Sequence, residues 1–213
     1  VFPSLAAPTV NHDLFAPAQS FQRLHLPDAE VLLLGQLALP GSAEDLLQQL
    51  IEQIAWRQEQ IELWGKRYLQ PRLIAWHGDA GRSYRYSGLA LEPQPWTPLL
   101  QALRHAVETA CGEVFNSVLL NHYRNGRDSM GMHSDDEPEL GEQPVIASLS
   151  LGEPRNLIFR HKRISTLAPV QVPLPSGSLL LMKGDTQRYW KHGIAKSSRP
   201  LGPRVNLTFR QIL

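Results

Sequence analysis

Arg204-Val205-Asn206-Leu207-Thr208-Phe209-Arg210 alternates polar and apolar side chains through seven residues. With the period of two of an extended chain, Val205, Leu207 and Phe209 point one way, and Arg204, Asn206, Thr208 and Arg210 the other. Such a strand is half-buried, and its polar face ordinarily meets water. Two distant groups change that expectation. His133-Ser134-Asp135 lies upstream, and His192 follows further along the chain. If these converge beside the strand, its arginines face an anion held on a metal.

Working outward, similar short runs precede this strand. Residues 118–124 place Leu119, Asn121 and Tyr123 on one side, and 145–151, 156–160, 170–173 and 178–182 read as strands between Gly/Pro turns. A further strand is expected over 31–39. Ser42 is positioned to cap a helix, with Asp45 three residues on and Leu46, Leu47, Leu50, Ile51 and Ile54 as its apolar stripe. A second helix follows Pro93, Pro95 and Pro98, carries Trp96, Leu99, Leu100, Leu103, Val107 and Ala110 on one face, and stops near Gly112. Many short strands after two helices predict an α+β chain, mainly β: a sandwich or barrel with helices packed outside. Residues 1–30 lack periodicity and are expected to form a leader or arm, leaving 31–213 as one domain.

With 42% apolar and 19% charged residues, the composition is that of a soluble globular protein that can bury a sizeable core. No apolar run approaches the roughly 20 residues needed to span a bilayer, so no membrane partner is expected. Cys111 is the single cysteine, which allows no internal disulfide and fits a reducing, intracellular compartment, cytoplasmic or nuclear. The net charge of +1 hides an asymmetry: residues 154–213 hold eleven Lys/Arg against Asp185 alone, and residues 1–153 hold ten against nineteen acids. A basic C-terminal part suits a phosphate backbone, or is simply a solvated surface. In residues 56–88, Trp56, Trp64, Tyr68, Trp76, Tyr84 and Tyr86 alternate with Arg57, Lys66, Arg67, Arg72, Arg82 and Arg85. That interleaving can stack bases and neutralise phosphates; equally, it fits a small sheet whose aromatics are core.

On a strand, the two-residue spacing of His133 and Asp135 puts both side chains on one face. Two histidines and one carboxylate leave half of an octahedral Fe(II) open for co-substrate and O2. His192 is the best third ligand, while His77, His122 and His161 stay open on position alone. A Zn2+ hydrolase would accept the same donors. The arginines favour the oxygenase, because 2-oxoglutarate is a dicarboxylate and guanidinium–carboxylate pairing is the usual way to hold one. Six residues of straight strand span about 20 Å, so Arg204 and Arg210 must lean together or serve opposite ends of the site.

His133-Ser134-Asp135, His192 and Arg204-x-Asn206-x-Thr208-x-Arg210, in that order, resemble the signature of the AlkB family of Fe(II)/2-oxoglutarate dioxygenases. The resemblance runs from about Ile61 to Leu213, takes in Asn121-His122-Tyr123 and Phe159-Arg160-His161-Lys162, and is nearest to the branch that acts on double-stranded DNA. It implies a double-stranded β-helix (jelly-roll) core over 115–213 and a nucleotide-recognition lid over 56–90. It implies that His133, Asp135 and His192 ligate iron, that Arg204 meets the distal carboxylate of 2-oxoglutarate, that Arg210 acts near its C1 end, and that Asn121, Tyr123 and Asn206 add hydrogen bonds. Glu137 would read the damaged base, Tyr84, Tyr86 and Ser87 would line its pocket, and Trp64 would fill the gap left in the duplex. Arg72 and Arg160 would contact the substrate strand. The implied reaction is oxidative dealkylation of N-alkylated bases such as 1-methyladenine and 3-methylcytosine by a monomer.

The sequence departs from that branch in two places. Ser197-Ser198-Arg199 stands where a compact basic cluster is expected, and Ile164-Ser165-Thr166 replaces a Lys/Arg-rich loop. Single-stranded DNA or RNA is therefore an alternative substrate. A nucleic-acid binding module with a structural metal is an alternative of another class.

Overall fold

The alternation of the closing strand holds in the computed structural model, where Arg204–Arg210 is buried along its whole length. The structure describes residues 20–63, 66–81, 84–86, 89–91 and 93–213, with backbone alone for 61–63, 66, 84–86 and 89–91. In chain order the strands are β1 (Gln22–Leu24), β2 (Glu30–Leu34), β3 (Gln60–Leu63), β4 (Lys66–Leu69), β5 (Leu73–Gly78), β6 (Tyr84–Tyr86), β7 (Leu89–Leu91) and β8 (Ser117–Tyr123). There follow β9 (Met130–His133), β10 (Ile146–Gly152), β11 (Arg155–His161), β12 (Val170–Leu174), β13 (Leu179–Lys183), β14 (Trp190–Ile194) and β15 (Arg204–Arg210). The helices are α1 (Ala43–Gln53), α2 (Pro98–Cys111) and the short α3 (Thr186–Tyr189).

Seven strands pair in the order β1-β2-β13-β10-β15-β8-β5, and four in the order β12-β11-β14-β9. All of these pairings are antiparallel. This is the expected double-stranded β-helix with outer helices. The larger sheet separates two cores. Val205, Leu207, Phe209 and Leu149 pack with Leu46 and Leu50 of α1 and Leu100, Leu103 and Val107 of α2. Its other face contributes Leu119, Ile146, Leu180 and Met182, which pack with Phe159, Val172, Leu174, Trp190 and Ile194 of the smaller sheet. The polar residues of β15 therefore face the space between two sheets, not solvent.

Both helix boundaries follow their signals. The Ser42 hydroxyl accepts the Asp45 N–H at 3.0 Å, and Gly112 ends α2 with φ 71°. Three expectations need correction. The strand expected over 31–39 stops at Leu34, and Leu37 instead donates its N–H to Gly177 O at 2.8 Å while burying its side chain. Residues 22–24 and 30 of the expected arm belong to β1 and β2 of the larger sheet, while residues 1–19 lie outside the described part. Segment 56–90 is not wholly a lid: β5 pairs with β8 along six residues, between the separate hairpins β3-β4 and β6-β7. Trp76 is accordingly buried in the inner core.

The cost of removing side chains from the outer core should greatly exceed that of removing a cap. Phe209→Ala should cost about 3–5 kcal/mol and Ser42→Ala about 1 kcal/mol, read from urea midpoints. Equal shifts would contradict this account of the core.

Candidate active site

β9 and β14 are neighbours, and their register sets His133 opposite His192. The two rings lie 4.4 Å apart between centroids. Asp135 stands two residues beyond the end of β9, so the expected strand spacing does not itself bring it to His133. A turn does. Ser134 Oγ donates to Trp190 O at 2.9 Å, and the Asp135 N–H donates to Gln187 Oε1 at 3.0 Å. His133 Nε2 then lies 3.8 Å from Asp135 Oδ1, and His192 Nε2 3.9 Å from Asp135 Oδ2. One donor atom from each of the three residues lies within 4.8 Å of the others. The Nδ1–H of His133 donates to Gly131 O at 3.0 Å, which leaves Nε2 with its lone pair for a metal.

The three histidines left open on position alone are elsewhere. His77 Nδ1 meets Pro95 O at 2.7 Å, His122 lies against Trp56, and His161 pairs with Asp28.

The closing strand supplies the second half of the site. Arg210 Nη2 donates to Asp135 Oδ1 at 2.7 Å in a pair buried on both sides. Burial alone would push the Asp135 carboxyl up. The charges of Arg210, His133 and His192 outweigh it and hold the carboxyl at about 2. Burial, reinforced by His133, pushes the His192 imidazole down to about 3 against the pull of Asp135. The aspartate is therefore ionised and His192 neutral near pH 7, the states that bind a divalent cation.

Arg204 and Arg210 meet different partners in the site. Arg204 is 2% exposed, and its Nη2 donates to Ser150 Oγ at 2.9 Å. Its Nε and Nη1 are buried without a hydrogen-bond partner. Asn206 donates to Ser148 Oγ and Leu149 O and accepts from Thr208 Oγ1. Opposite it on β8 is Asn121, whose Oδ1 accepts from Arg72 Nε at 2.7 Å and whose Nδ2 has no partner. Asp135, His192, Asn121, Arg204, Asn206 and Arg210 line one cavity between the sheets. Unpaired donors at one end and a carboxylate with two imidazoles at the other fit a carboxylate-bearing ligand on a metal ion.

The remaining candidates are spread more widely. Glu137 is half-buried and precedes the 3-10 turn Pro138–Leu140. Arg160 is exposed on β11, opposite Lys191. Arg72 is 5% exposed and reaches Asn121, so it supports the inner floor of the site. Tyr84 and Tyr86 belong to β6 by backbone, while Trp64 and Ser87 lie outside the described residues. Sequence reasoning missed Gln187, Ser148 and Ser150. The serines had a signal, since they are the polar positions of an otherwise apolar alternating run.

Two expectations follow for the site. Gln187→Leu removes the acceptor that fixes the Asp135 backbone, and should weaken Mn2+ affinity about tenfold in calorimetric titration; unchanged affinity would contradict its role. In metal-free protein, the unfolded state binds more protons than the folded one, through His192 between pH 6.5 and about 3 and through Asp135 between 3.8 and about 2. Stability must therefore fall as pH drops below 6.5. The slope of urea midpoint against pH over 6.5–4 should flatten in His192→Asn, and an unchanged slope would contradict the assignment.

Comparison with known proteins agrees with this site. Residues 30–210 match the 2OG-Fe(II) oxygenase superfamily. The chain is 41% identical over 182 residues to DNA oxidative demethylase ALKBH2 of Homo sapiens, covering 81% of this chain and 70% of that protein. It is 42% identical over 178 residues to alpha-ketoglutarate-dependent dioxygenase alkB homolog 3 of Homo sapiens, covering 80% of this chain and 62% of that protein. A solved structure described as the structure of OsALKBH1 shares the fold, with a TM-score of 0.60 at 18% identity over 90% of this chain and 100% of that one. With the matched family spanning most of its length, the chain belongs to the 2OG-Fe(II) oxygenase superfamily and, within it, to the AlkB dioxygenases.

Proposed function

We propose that this chain oxidatively dealkylates N-alkylated bases in DNA, such as 1-methyladenine and 3-methylcytosine. The observation that carries the reading is a His133–Asp135–His192 cluster whose Asp135 and His192 line the same cavity as Arg204, with its unpaired Nε and Nη1. The name DNA oxidative demethylase on a relative 41% identical supports the substrate class. Fe(II) bound by the cluster, with 2-oxoglutarate and O2, would supply hydroxylation of the N-methyl carbon, so that formaldehyde leaves the restored base and succinate and CO2 are co-products.

The chain's own groups have separable tasks in this reading. His133 and His192 present ring nitrogens, and Asp135 presents a carboxylate kept ionised by Arg210. Arg204 takes the distal carboxylate of 2-oxoglutarate, Arg210 lies at its C1 end, and Asn121, Tyr123 and Asn206 orient it. A methyl on a ring nitrogen is out of reach inside the stack, so the base must be flipped out. Glu137, two residues past Asp135, places a negative charge where a cationic base would enter, and low dielectric strengthens that attraction. Tyr84, Tyr86 and Ser87 line the base, and Trp64 occupies the vacated stack. Arg160 meets a phosphate, while Arg72 acts through Asn121. The two hairpins, β3-β4 and β6-β7, act as the recognition lid of a monomer working in a reducing intracellular compartment. Among the described residues no helix is long and apolar enough to cross a membrane.

Duplex DNA is the first polymer in this reading. A second reading, single-stranded DNA or RNA, is favoured by the two departures: Ser197-Ser198-Arg199 and Ile164-Ser165-Thr166 offer fewer cations than the duplex-acting branch. Fewer phosphate contacts lower affinity and flatten its salt dependence.

Formaldehyde and succinate release should be measured on methylated duplex, single-stranded DNA and RNA oligonucleotides. Release on at least one DNA form, abolished in a folded His133→Ala variant, is the expected result. No release on any of them would sink the enzymatic reading and leave a binding module. Trp64→Ala should lower turnover more on duplex than on single strands; equal losses would remove its stacking role.

A further inference from the structure

Tyr123 carries two guanidiniums over its ring. Arg204 Cζ lies 5.1 Å and Arg155 Cζ 5.7 Å from the ring centroid. All three residues are buried, Tyr123 at 1%, Arg204 at 2% and Arg155 at 6% exposure. Arg155 opens β11, and its Nη2 donates to the carbonyls of Asp128 at 3.1 Å and Ala195 at 2.6 Å. Both acceptors are neutral. The nearby Asp128 carboxylate is occupied by Arg124, which donates to both its oxygens. Among the described residues neither Arg155 nor Arg204 forms an ion pair, although Asp128 and Glu153 lie close enough to attract Arg155. Burial pushes both guanidiniums below their ordinary pKa; on Arg204 Tyr123 opposes that effect and the charge of Arg155 adds to it.

A buried charge held only by neutral groups is costly unless an opposite charge arrives. Arg210 has its counter-charge in Asp135; among the described residues Arg155 and Arg204 have none within pairing distance. The end of the cavity away from the metal cluster is thus lined by Arg204, which keeps two unpaired donors, and a second positive charge, Arg155, shares the Tyr123 ring with it.

We propose that Arg155 is a positioning and specificity-determining residue for the co-substrate: stacked with Arg204 on Tyr123, it fixes that pair and makes the far end of the cavity select a carboxylate. This rests on the reading that Arg204 receives the distal carboxylate of 2-oxoglutarate. Arg155 itself does not touch the reacting atoms. Its charge discriminates 2-oxoglutarate from a 2-oxo acid of the same length that ends in a methyl group.

The test compares two substitutions in the full chain. Arg155→Gln keeps an amide donor for the Asp128 and Ala195 carbonyls but removes the charge, whereas Arg155→Lys keeps the charge. Calorimetric titration of the Mn2+-loaded protein under argon gives the Kd for 2-oxoglutarate and for 2-oxopentanoate. Arg155→Gln should weaken 2-oxoglutarate binding about tenfold, equivalent to about 1.4 kcal/mol, and leave 2-oxopentanoate binding nearly unchanged. Arg155→Lys should restore most of the loss. In turnover, KM for 2-oxoglutarate should rise with kcat held at saturation. Equal weakening of both acids would show a merely structural residue and overturn the proposal, as would an unchanged Kd for 2-oxoglutarate. Should Arg155→Gln not fold, Arg155→Met carries the same comparison, and Arg155→Lys binding as weakly as that neutral variant would also overturn it. A wild-type chain that binds no 2-oxoglutarate would overturn the co-substrate reading and this inference together; normal wild-type binding with unaffected variants would overturn the inference alone.

Discussion

The buried pair between Arg210 and Asp135 joins the two halves of the site. Without the guanidinium, burial would drive the Asp135 carboxyl towards its neutral form, and a neutral acid is a poor metal ligand. Without the carboxylate, Arg210 would lose a counter-charge 2.7 Å away on an inner sheet face. Each group helps to make the other tolerable inside the protein. Their link across 75 residues of sequence ties the metal cluster, built on the smaller sheet, to the closing strand of the larger one.

That link explains why β15 can be buried on both faces. Its apolar side is covered by α1 and α2, as any amphipathic sheet face would be. Its polar side is covered by a second sheet, and each polar residue there meets a specific demand. Thr208 donates to Asn206, which donates to Ser148 of β10; Arg210 meets Asp135; Arg204 donates to Ser150 and retains two free donors. A cavity lined this way has a cation-seeking end and an anion-seeking end. A metal ion bridged to a dicarboxylate satisfies both at once, which is the chemical sense of the family to which the chain belongs.

Much of this was legible in the sequence because β15 repeats its pattern long enough to fix its bounds, and Ser42 and Gly112 mark helix ends by their own conformational preferences. The metal donors could be picked out by residue type. Their convergence could not be derived correctly, since β9 is four residues long, contains Gly131, and ends before Asp135. Gln187, which holds Asp135 in place, comes from 52 residues away and carries no local signal. Arg72 looked like one more cation in an aromatic-basic stretch, because charge patterning does not distinguish a solvated arginine from one buried against Asn121. β5 was hidden for a related reason: aromatics at strand spacing fit either a base-stacking surface or a core edge, and pairing with β8 decided for the core.

The central claim is that one cavity holds a divalent metal at the His133–Asp135–His192 end and a carboxylate at the Arg204 end. A crystal structure of the chain grown under argon with Mn2+ and 2-oxoglutarate tests it directly. The account predicts metal density among those three residues and the distal carboxylate of 2-oxoglutarate on Arg204 Nε and Nη1. Metal bound elsewhere, or 2-oxoglutarate lying away from Arg204, would contradict it.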